Sequence, residues 1–317
     1  MWEMFAQTDY GPNVREIVET EECKVLRLSD GAGEGMMTIY SVFPGVFLMF
    51  NDFHMKECIS GFQTDTNLFC IDHCREGRIE QEVGKGAYCY LEAGDLRIDQ
   101  RIHHTGQVSF PLCNYHGISI GFRMDIAEKE FPNQVISVSL ADLVEKFCSD
   151  PSPYVIPGEP AIEHIFSELY NVPAKIKHSY FKVKVLELLL YLDALELPSH
   201  KEERPYFYKG QVEKIKAIQA LLTSDLTKSY TIEELSERFD IAQTPLKNCF
   251  KGIYGSPIFT YMRNYRMNYA ASLLKTEKNM KVAEIAGLVG YDSPSKFASA
   301  FRETMGKTPL EYRKSLT

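Results

Sequence analysis

The chain has 317 residues, of which 44% are hydrophobic and 25% are charged, and its net charge is −8. This composition is typical of a folded globular protein and excludes a largely disordered chain. The longest apolar run, residues 185–192, is far shorter than the ~20 residues that span a bilayer, and the first 17 residues show no secretory signal pattern, so we expect a cytoplasmic protein with no membrane partner.

The length predicts two domains plus a connector. Residues 209–317 carry 17 Lys and Arg against 11 Asp and Glu, whereas the remainder carries 18 against 32. A basic C-terminal third is compatible with nucleic-acid binding, because phosphate binding needs local positive charge. The eight cysteines lack paired C-x-x-C spacing and are interpreted as reduced thiols, most of them small core residues.

Residues 36–140 are predicted to be rich in β-strands. Short runs of aromatic and β-branched residues, broken by Gly, Pro, Asn and Asp, begin at Thr38, Val46, Leu68, Ala87 and His116. We expect a sandwich or small barrel, and we assign residues 1–140 to this β-rich domain.

Helical spacing follows at residues 141–148, 161–170 and 175–195. The last helix is apolar on most of its circumference, and its apolar residues include Val183, Leu186, Leu189, Leu190 and Leu192. It must therefore bury two sides, either within its own domain or against the β domain and a second subunit. A polar linker at residues 199–204 ends this connector segment (141–204), and an all-helical domain is predicted for 205–317.

The helical domain contains an internal repeat. TIEELSERF from Thr231 matches KVAEIAGLV from Lys281 at an offset of 50, and LKNCFKGIYGSPIFTY from Leu246 matches FASAFRETMGKTPLEY from Phe297 at an offset of 51. One residue is thus inserted between the two halves of the match, where a turn between two helices would tolerate it. This pattern predicts two helix-turn-helix units.

The second helix of each unit is predicted to open near Thr244-Pro245 or Ser293-Pro294, with the hydroxyl as N-cap and Pro in the first turn. Helical spacing buries Leu246, Cys249, Phe250 and Ile253 in one unit, and Phe297, Ala300 and Phe301 in the other. The outward faces, which offer donors for phosphates and base edges, consist of Thr244, Lys247, Asn248, Lys251, Ser295, Lys296, Ser299 and Arg302. A solvated polar face is the alternative interpretation.

Residues 258–274 are predicted to form one helix between the units, with Met262, Tyr265, Tyr269, Ala270 and Leu273 on its apolar side. A rigid connector would fix the separation of the two reading helices, and major-groove contacts on one face of B-DNA lie about 34 Å apart.

The segment from Val212 to Arg313 resembles the DNA-binding domain of the AraC/XylS family of bacterial transcription regulators. IAGLVGYDSPSKFASAFRETMGKTPLEYR is similar to the family signature, and FKGIYGSPIFTYMRNYRMNYAASLL in the first unit is also similar. The resemblance implies that double-stranded DNA is a partner and that the second helix of each unit enters the major groove. It nominates Gln243, Thr244, Lys247 and Asn248, then Ser295, Lys296 and Ser299.

The resemblance also implies an N-terminal domain that binds an effector, dimerises, or both, and the β-rich pattern resembles the cupin-like version. The default expectation is a small-molecule effector in a pocket lined by apolar and aromatic side chains, which shifts the population of domain or subunit arrangements and so changes DNA affinity or contact with RNA polymerase. A homodimer is expected.

Metal and thiol sensing are the alternatives. The adjacent pair His103-His104 points to opposite faces of a strand, and His54, His73 and His116 are scattered, so we expect no metal site and no cofactor. Cys70 and Cys74 would share a strand face about 13 Å apart, and Arg75 is the only sign of an activated thiol.

Two further function classes remain. An enzyme is not expected, because the sequence shows no nucleophile-base spacing, phosphate-binding Gly loop or metal constellation, although a cupin-type enzyme is conceivable on fold grounds. A regulator that acts through protein contacts, its helix-turn-helix units having lost base recognition, is the other class.

Overall fold

The structure is a computed structural model that describes residues 13–31, 33–82, 86–130, 136–150, 152–197 and 206–315, with the side chains of 30, 60–66 and 102–106 outside the description. Contacts divide the chain into two units, Met1–Tyr206 and Phe207–Thr317. The predicted linker at residues 199–204 lies outside the described residues.

The first unit is rich in antiparallel strands. Their bounds are β1 Val14–Glu19, β2 Cys23–Asp30, β3 Gly33–Phe43, β4 Val46–Met55, β5 Glu57–Gly77, β6 Ile79–Glu82, β7 Ala87–Leu91, β8 Leu96–Ser109, β9 Tyr115–Arg123 and β10 Tyr154–Ile156. The predicted runs at Thr38, Val46, Leu68 and His116 fall on β3, β4, β5 and β9. The run from Ala87 is two strands, because Gly94 at φ +91° makes a turn within it.

Within this unit the described strands follow the order β1-β2-β3-β4-β9-β5-β8-β6-β7, and β10 pairs with β8. The long strand β5 pairs with β8 along both of its halves and with β9 along its second half. The region therefore has the antiparallel sheets expected of a cupin-like sandwich or barrel, but the strands do not close, since β1 and β7 stand at opposite ends of the order.

Alternation along the strands sends side chains to two faces. Leu48, Ile71 and Ile120 pack on one face against the helices that follow the strands. Leu28, Cys74 and Tyr115 are buried on the other face, where β2, β5 and β9 contribute to an interior between the strands. The helices thus cover the outside of the strand region.

The helices of this unit are α1 Met124–Glu130, α2 Leu140–Cys148, α3 Pro160–Leu169 and α4 Lys177–Ala194. Ser139 caps α2 by accepting a hydrogen bond from the Asp142 amide, and Pro160 starts α3 where no amide donor is needed. Helix α4 buries Leu189 and Leu192, but Val183 is 57% and Leu190 46% exposed in the single chain. It is therefore not a fully buried helix within this chain.

The second unit begins with the short strand β11 Phe207–Tyr208 and is otherwise helical. Its helices are α5 Lys209–Ser224, α6 Ile232–Arg238, α7 Gln243–Tyr254, α8 Ile258–Thr276, α9 Val282–Leu288, α10 Pro294–Met305 and α11 Pro309–Lys314. Among the helices that the structure describes in either unit, none has both the length and the apolarity needed to cross a lipid bilayer.

Candidate nucleic-acid interface

The two halves of the second unit repeat each other helix by helix. Helices α6 and α9 both have seven residues and begin 50 positions apart, whereas α7 and α10 both have twelve and begin 51 positions apart. The additional residue therefore lies in the turn between α9 and α10. Asp240 and Gly290 hold equivalent turn positions, and both have positive φ angles, of 47° and 78°.

The start of α7 differs from the prediction. Its N-cap is Ala242, without a side-chain hydrogen bond, so Thr244 is not the cap and Pro245 lies at the third helical position. The equivalent cap in the other unit is Ser293, whose hydroxyl accepts from the Lys296 amide at 3.4 Å, with Pro294 first in the helix as predicted. The offset of 51 thus relates the two caps, although only one is a hydroxyl residue.

Helices α7 and α10 are each held by their own apolar contacts. Leu246 and Phe250 of α7 are fully buried, and the Phe250 ring lies 5.4 Å from that of Tyr261 on α8. Phe297 and Phe301 of α10 are fully buried in a core with α8 and α9. Both helices end at glycines in the left-handed conformation, Gly255 and Gly306, as sharp helix ends require. Burial of one face leaves the opposite face of each helix in solvent.

The structure places every predicted reading residue on these solvent faces. The exposed residues are Gln243, Thr244, Lys247, Asn248 and Lys251 on α7, and Ser295, Lys296, Ser299 and Arg302 on α10. Each helix therefore exposes two cationic side chains together with amide or hydroxyl groups, a combination that can contact phosphates and base edges.

The buried side of the connector α8 agrees with the prediction at Met262 and Ala270, which are buried, but not at the two tyrosines. Tyr265 and Tyr269 are 37% and 46% exposed, whereas Met267 and Leu274 are buried against α9 and α10. The helix thus belongs to the core of the second half as well as contacting α7. Arg266 of α8 also donates to the Lys228 carbonyl at 3.0 Å, which anchors α8 to the loop before α6.

Cys70 and Cys74, the two thiols considered for redox sensing, do not form an activated site. Burial raises the pKa of Cys70 to about 12 and that of Cys74 to about 12, and the guanidinium of Arg75 lies over the Tyr170 ring at 4.1 Å. Because a reactive thiol needs a low pKa and access to solvent, these residues do not favour redox sensing.

The interior of the first unit contains a charged cluster that the sequence analysis missed. Asp72 of β5 forms ion pairs with Arg97, at 2.9 Å, and with Arg101, while Arg101 pairs with Asp99 at 2.8 Å. The spacing of Arg97, Asp99 and Arg101 at alternate positions of one strand was the available signal, since such residues share a face. Asp72 also lies within hydrogen-bond reach of Ser119.

Two of the histidines considered scattered are neighbours. His116 on β9 is paired in register with Asp52 on β4, and His54 lies two residues further along the same face. His73 is separate; it is buried and stacks on Phe166 with ring centroids 4.2 Å apart. The side chains of His103 and His104 lie outside the described residues.

Known proteins resemble the second unit most clearly. A helix-turn-helix domain model matches residues 235–315. An AraC-like transcription regulator of Streptomyces lividans is 29% identical over 137 residues, which are 42% of this chain and 44% of that protein. The Msm operon regulatory protein of Streptococcus mutans is 27% identical over 147 residues, 46% of this chain and 51% of that protein.

A solved structure also matches this part of the chain. The C-terminal domain of the two-component response regulator yesN from Fusobacterium nucleatum is 33% identical, and the match covers 32% of this chain and 95% of that domain, with a TM-score of 0.28. The chain spans about half the length of the two curated relatives that it matches.

Proposed function

We propose that the chain is a transcription regulator that binds double-stranded DNA in a sequence-specific manner through a second unit of the AraC type. The observation that carries the proposal is the repetition of α7 and α10. Both are twelve-residue helices that bury one apolar face and expose a cationic, hydrogen-bonding face.

The chemistry of these faces supports DNA as the partner. Lys247 is the fifth residue of α7 and Lys296 is the third residue of α10, and both would neutralise phosphates or bind guanine. The Asn248 amide can bind adenine through two hydrogen bonds. No side chain caps the N-terminus of α7 among the residues described, so its first amides are open to a phosphate oxygen.

The experiment is selection of the full chain on a randomised DNA library, followed by titration of the enriched site over a range of salt. We expect two motifs about one helical turn apart, because two major-groove contacts on one face of B-DNA have that spacing. Asn248→Ala should weaken the enriched site by roughly 5- to 150-fold and relax selection at one base pair, as the loss of a base contact of ~1–3 kcal/mol requires.

Lys247→Ala and Lys296→Ala test the cationic faces, with Lys278→Ala as the matched control. Lys278 is exposed between α8 and α9, outside both reading helices, and its removal should change affinity far less. Binding that follows ionic strength alone, without an enriched sequence, would favour a regulator that works through protein contacts.

We propose further that the protein is cytoplasmic and that a small-molecule effector binds its first unit and controls DNA binding. The interior cluster of Asp72, Arg97, Asp99 and Arg101 supports this, since charged groups inside a domain can recognise a polar ligand. A compound that raises the melting temperature of the full chain and also shifts its affinity for the enriched DNA is the expected finding. Compounds that raise the melting temperature without changing the DNA affinity would contradict the proposed coupling between effector binding and DNA binding.

Dimerisation through α4 is the remaining part of the proposal, with RNA polymerase as a further contact of the DNA-bound form. The exposed Val183 and Leu190 form the apolar side that a second subunit would cover. Sedimentation should give a dimer at micromolar concentration and a monomer for Leu190→Lys. A monomer for the unmodified chain would exclude this contact.

A further inference from the structure

The outer face of the strand region carries a cluster of three metal-ligating side chains. Asp52 and His54 occupy alternate positions of β4, and His116 lies opposite Asp52 on β9. All three continue the strand face on which Leu48 and Ile118 pack against the helices, so they lie outside the interior that contains the Asp72 cluster.

The ligand atoms of the cluster converge. The Nε2 atom of His54 is 2.9 Å and the Nδ1 atom of His116 is 3.4 Å from the same Asp52 Oδ1 atom, and one ligand atom from each residue lies within 4.8 Å of the other two. Ligands held about 2.0–2.2 Å from one ion are separated by roughly 3.0–3.5 Å, so a small shift of the imidazole rings would accommodate a metal ion.

The hydrogen bonding of the cluster is incomplete. Asp52 Oδ1 is buried and has no hydrogen bond of acceptable geometry within the described part of the chain, although the residue as a whole is half exposed. Its described ion-pair partners are the two imidazoles, and the nearby Arg27 is instead paired with Glu34 at 2.7 Å. A carboxylate oxygen buried between two imidazole nitrogens is a good acceptor for a divalent cation.

We propose that Asp52, His54 and His116 bind one divalent first-row transition-metal ion, of the class represented by Zn²⁺. Two imidazoles and one carboxylate suit this class better than Mg²⁺ or Ca²⁺, which prefer oxygen ligands alone. Three protein ligands leave at least one coordination position for water or a small ligand, and the exposure of His54 gives the ion access from solvent.

Two other potential metal ligands in the described part of this unit compete poorly for such an ion. Burial raises the pKa of the Cys74 thiol to about 12, and His73 is enclosed in the core against Phe166. The proposal does not depend on DNA binding, because its readout is the binding of metal to the full chain.

The test is titration of the metal-free full chain with Zn²⁺ in competition with a chromophoric chelator. We expect one equivalent to bind, and we expect His54→Ala and His116→Ala each to weaken binding by about 100-fold or more, since even outer-sphere changes cost 10- to 100-fold. His164→Ala is the matched control, because His164 is exposed on α3 and lies outside the cluster. It should bind Zn²⁺ as the unmodified chain does.

A second readout separates loss of a ligand from loss of structure. Co²⁺ bound by the unmodified chain should give visible absorption bands that His54→Ala alters while its circular dichroism and melting temperature without metal stay unchanged, as expected for an exposed side chain. Failure of the unmodified chain to bind one equivalent of Zn²⁺, or equal affinity in the cluster variants and in His164→Ala, would overturn the proposal.

Discussion

Asp72 is a buried carboxylate whose charge depends on its neighbours. Burial alone would raise its pKa, but the guanidinium groups of Arg101 and Arg97 outweigh that effect and hold the pKa of Asp72 well below its usual value. The carboxylate is therefore charged in the folded chain at all ordinary pH values, and its contribution to stability is lost only as pH falls below about 4.

Removing one member of this cluster should be costly. Asp72→Ala leaves two buried guanidinium groups, those of Arg97 and Arg101, to share the single Asp99 carboxylate. We expect a loss of about 3–5 kcal/mol in the free energy of unfolding, measured with urea. Asp125→Ala is the control, because Asp125 pairs with Arg123 at 2.9 Å on the surface and should contribute less than about 1 kcal/mol. Similar losses of unfolding free energy in the two variants would show that the buried carboxylate stabilises the fold no more than a surface carboxylate does.

His73 should make the stability of the first unit depend on pH. Burial, followed by the charge of Arg75, lowers the pKa of His73 to about 4, against about 6.5 in an unfolded chain. As pH falls from 6.5 towards 4, the His73 side chain binds a proton in the unfolded chain but stays neutral in the folded chain. The free energy of unfolding therefore decreases by about 3 kcal/mol in total.

His73→Phe should remove this decline, because Phe can keep the stacking on Phe166 and cannot be protonated. The measurement is urea unfolding at several pH values between 7 and 4, with His164→Phe as the exposed control. An unchanged slope in His73→Phe would mean that other groups cause the pH dependence.

At the scale of the element, the turns of the two helix-turn-helix units need an unusual backbone. Gly290 has φ +78°, and a Cβ atom there would lie 2.2 Å from the Leu226 carbonyl oxygen. Asp240 holds the equivalent position at φ 47°, a conformation that Asp tolerates better than most residues. The turn geometry is thus shared, although the residue type is not.

Substitutions of Gly290, in the turn, and of Gly287, in helix α9, should have opposite effects on stability. Gly290→Ala should destabilise the second unit by more than about 2 kcal/mol, because it combines a steric clash with a strained φ. Gly287→Ala, on the exposed side of α9 with nothing within 4 Å, should stabilise it by about 0.5–1 kcal/mol. Thermal unfolding compares the two, and a stable Gly290→Ala variant would contradict the turn described here.

At the scale of the molecule, each unit has its own core. We expect calorimetry of the full chain to show two transitions, with Asp72→Ala lowering one and Gly290→Ala lowering the other, because a substitution acts on the cooperative unit that contains it. A single transition shifted by both variants would show that the units unfold together.

The sequence by itself determined the features that depend on local periodicity. Two copies of one helix pair, the insertion in a turn and the exposed faces around Lys247 and Lys296 all follow from spacing along a single helix, and the structure has them in the same places. Helix period and turn chemistry are properties of neighbouring residues, so no knowledge of the remaining chain was needed.

Only the tertiary structure decided which distant residues meet. The buried side of α8 depends on which helices pack against it. Met267 is buried because it faces the core formed with α9 and α10, whereas Tyr265 faces away from that core. Similarly, His54 and His116 are 62 positions apart and become neighbours only because β4 pairs with β9 in one register. Strand register is set by contacts over the whole sheet, which no short stretch of sequence encodes.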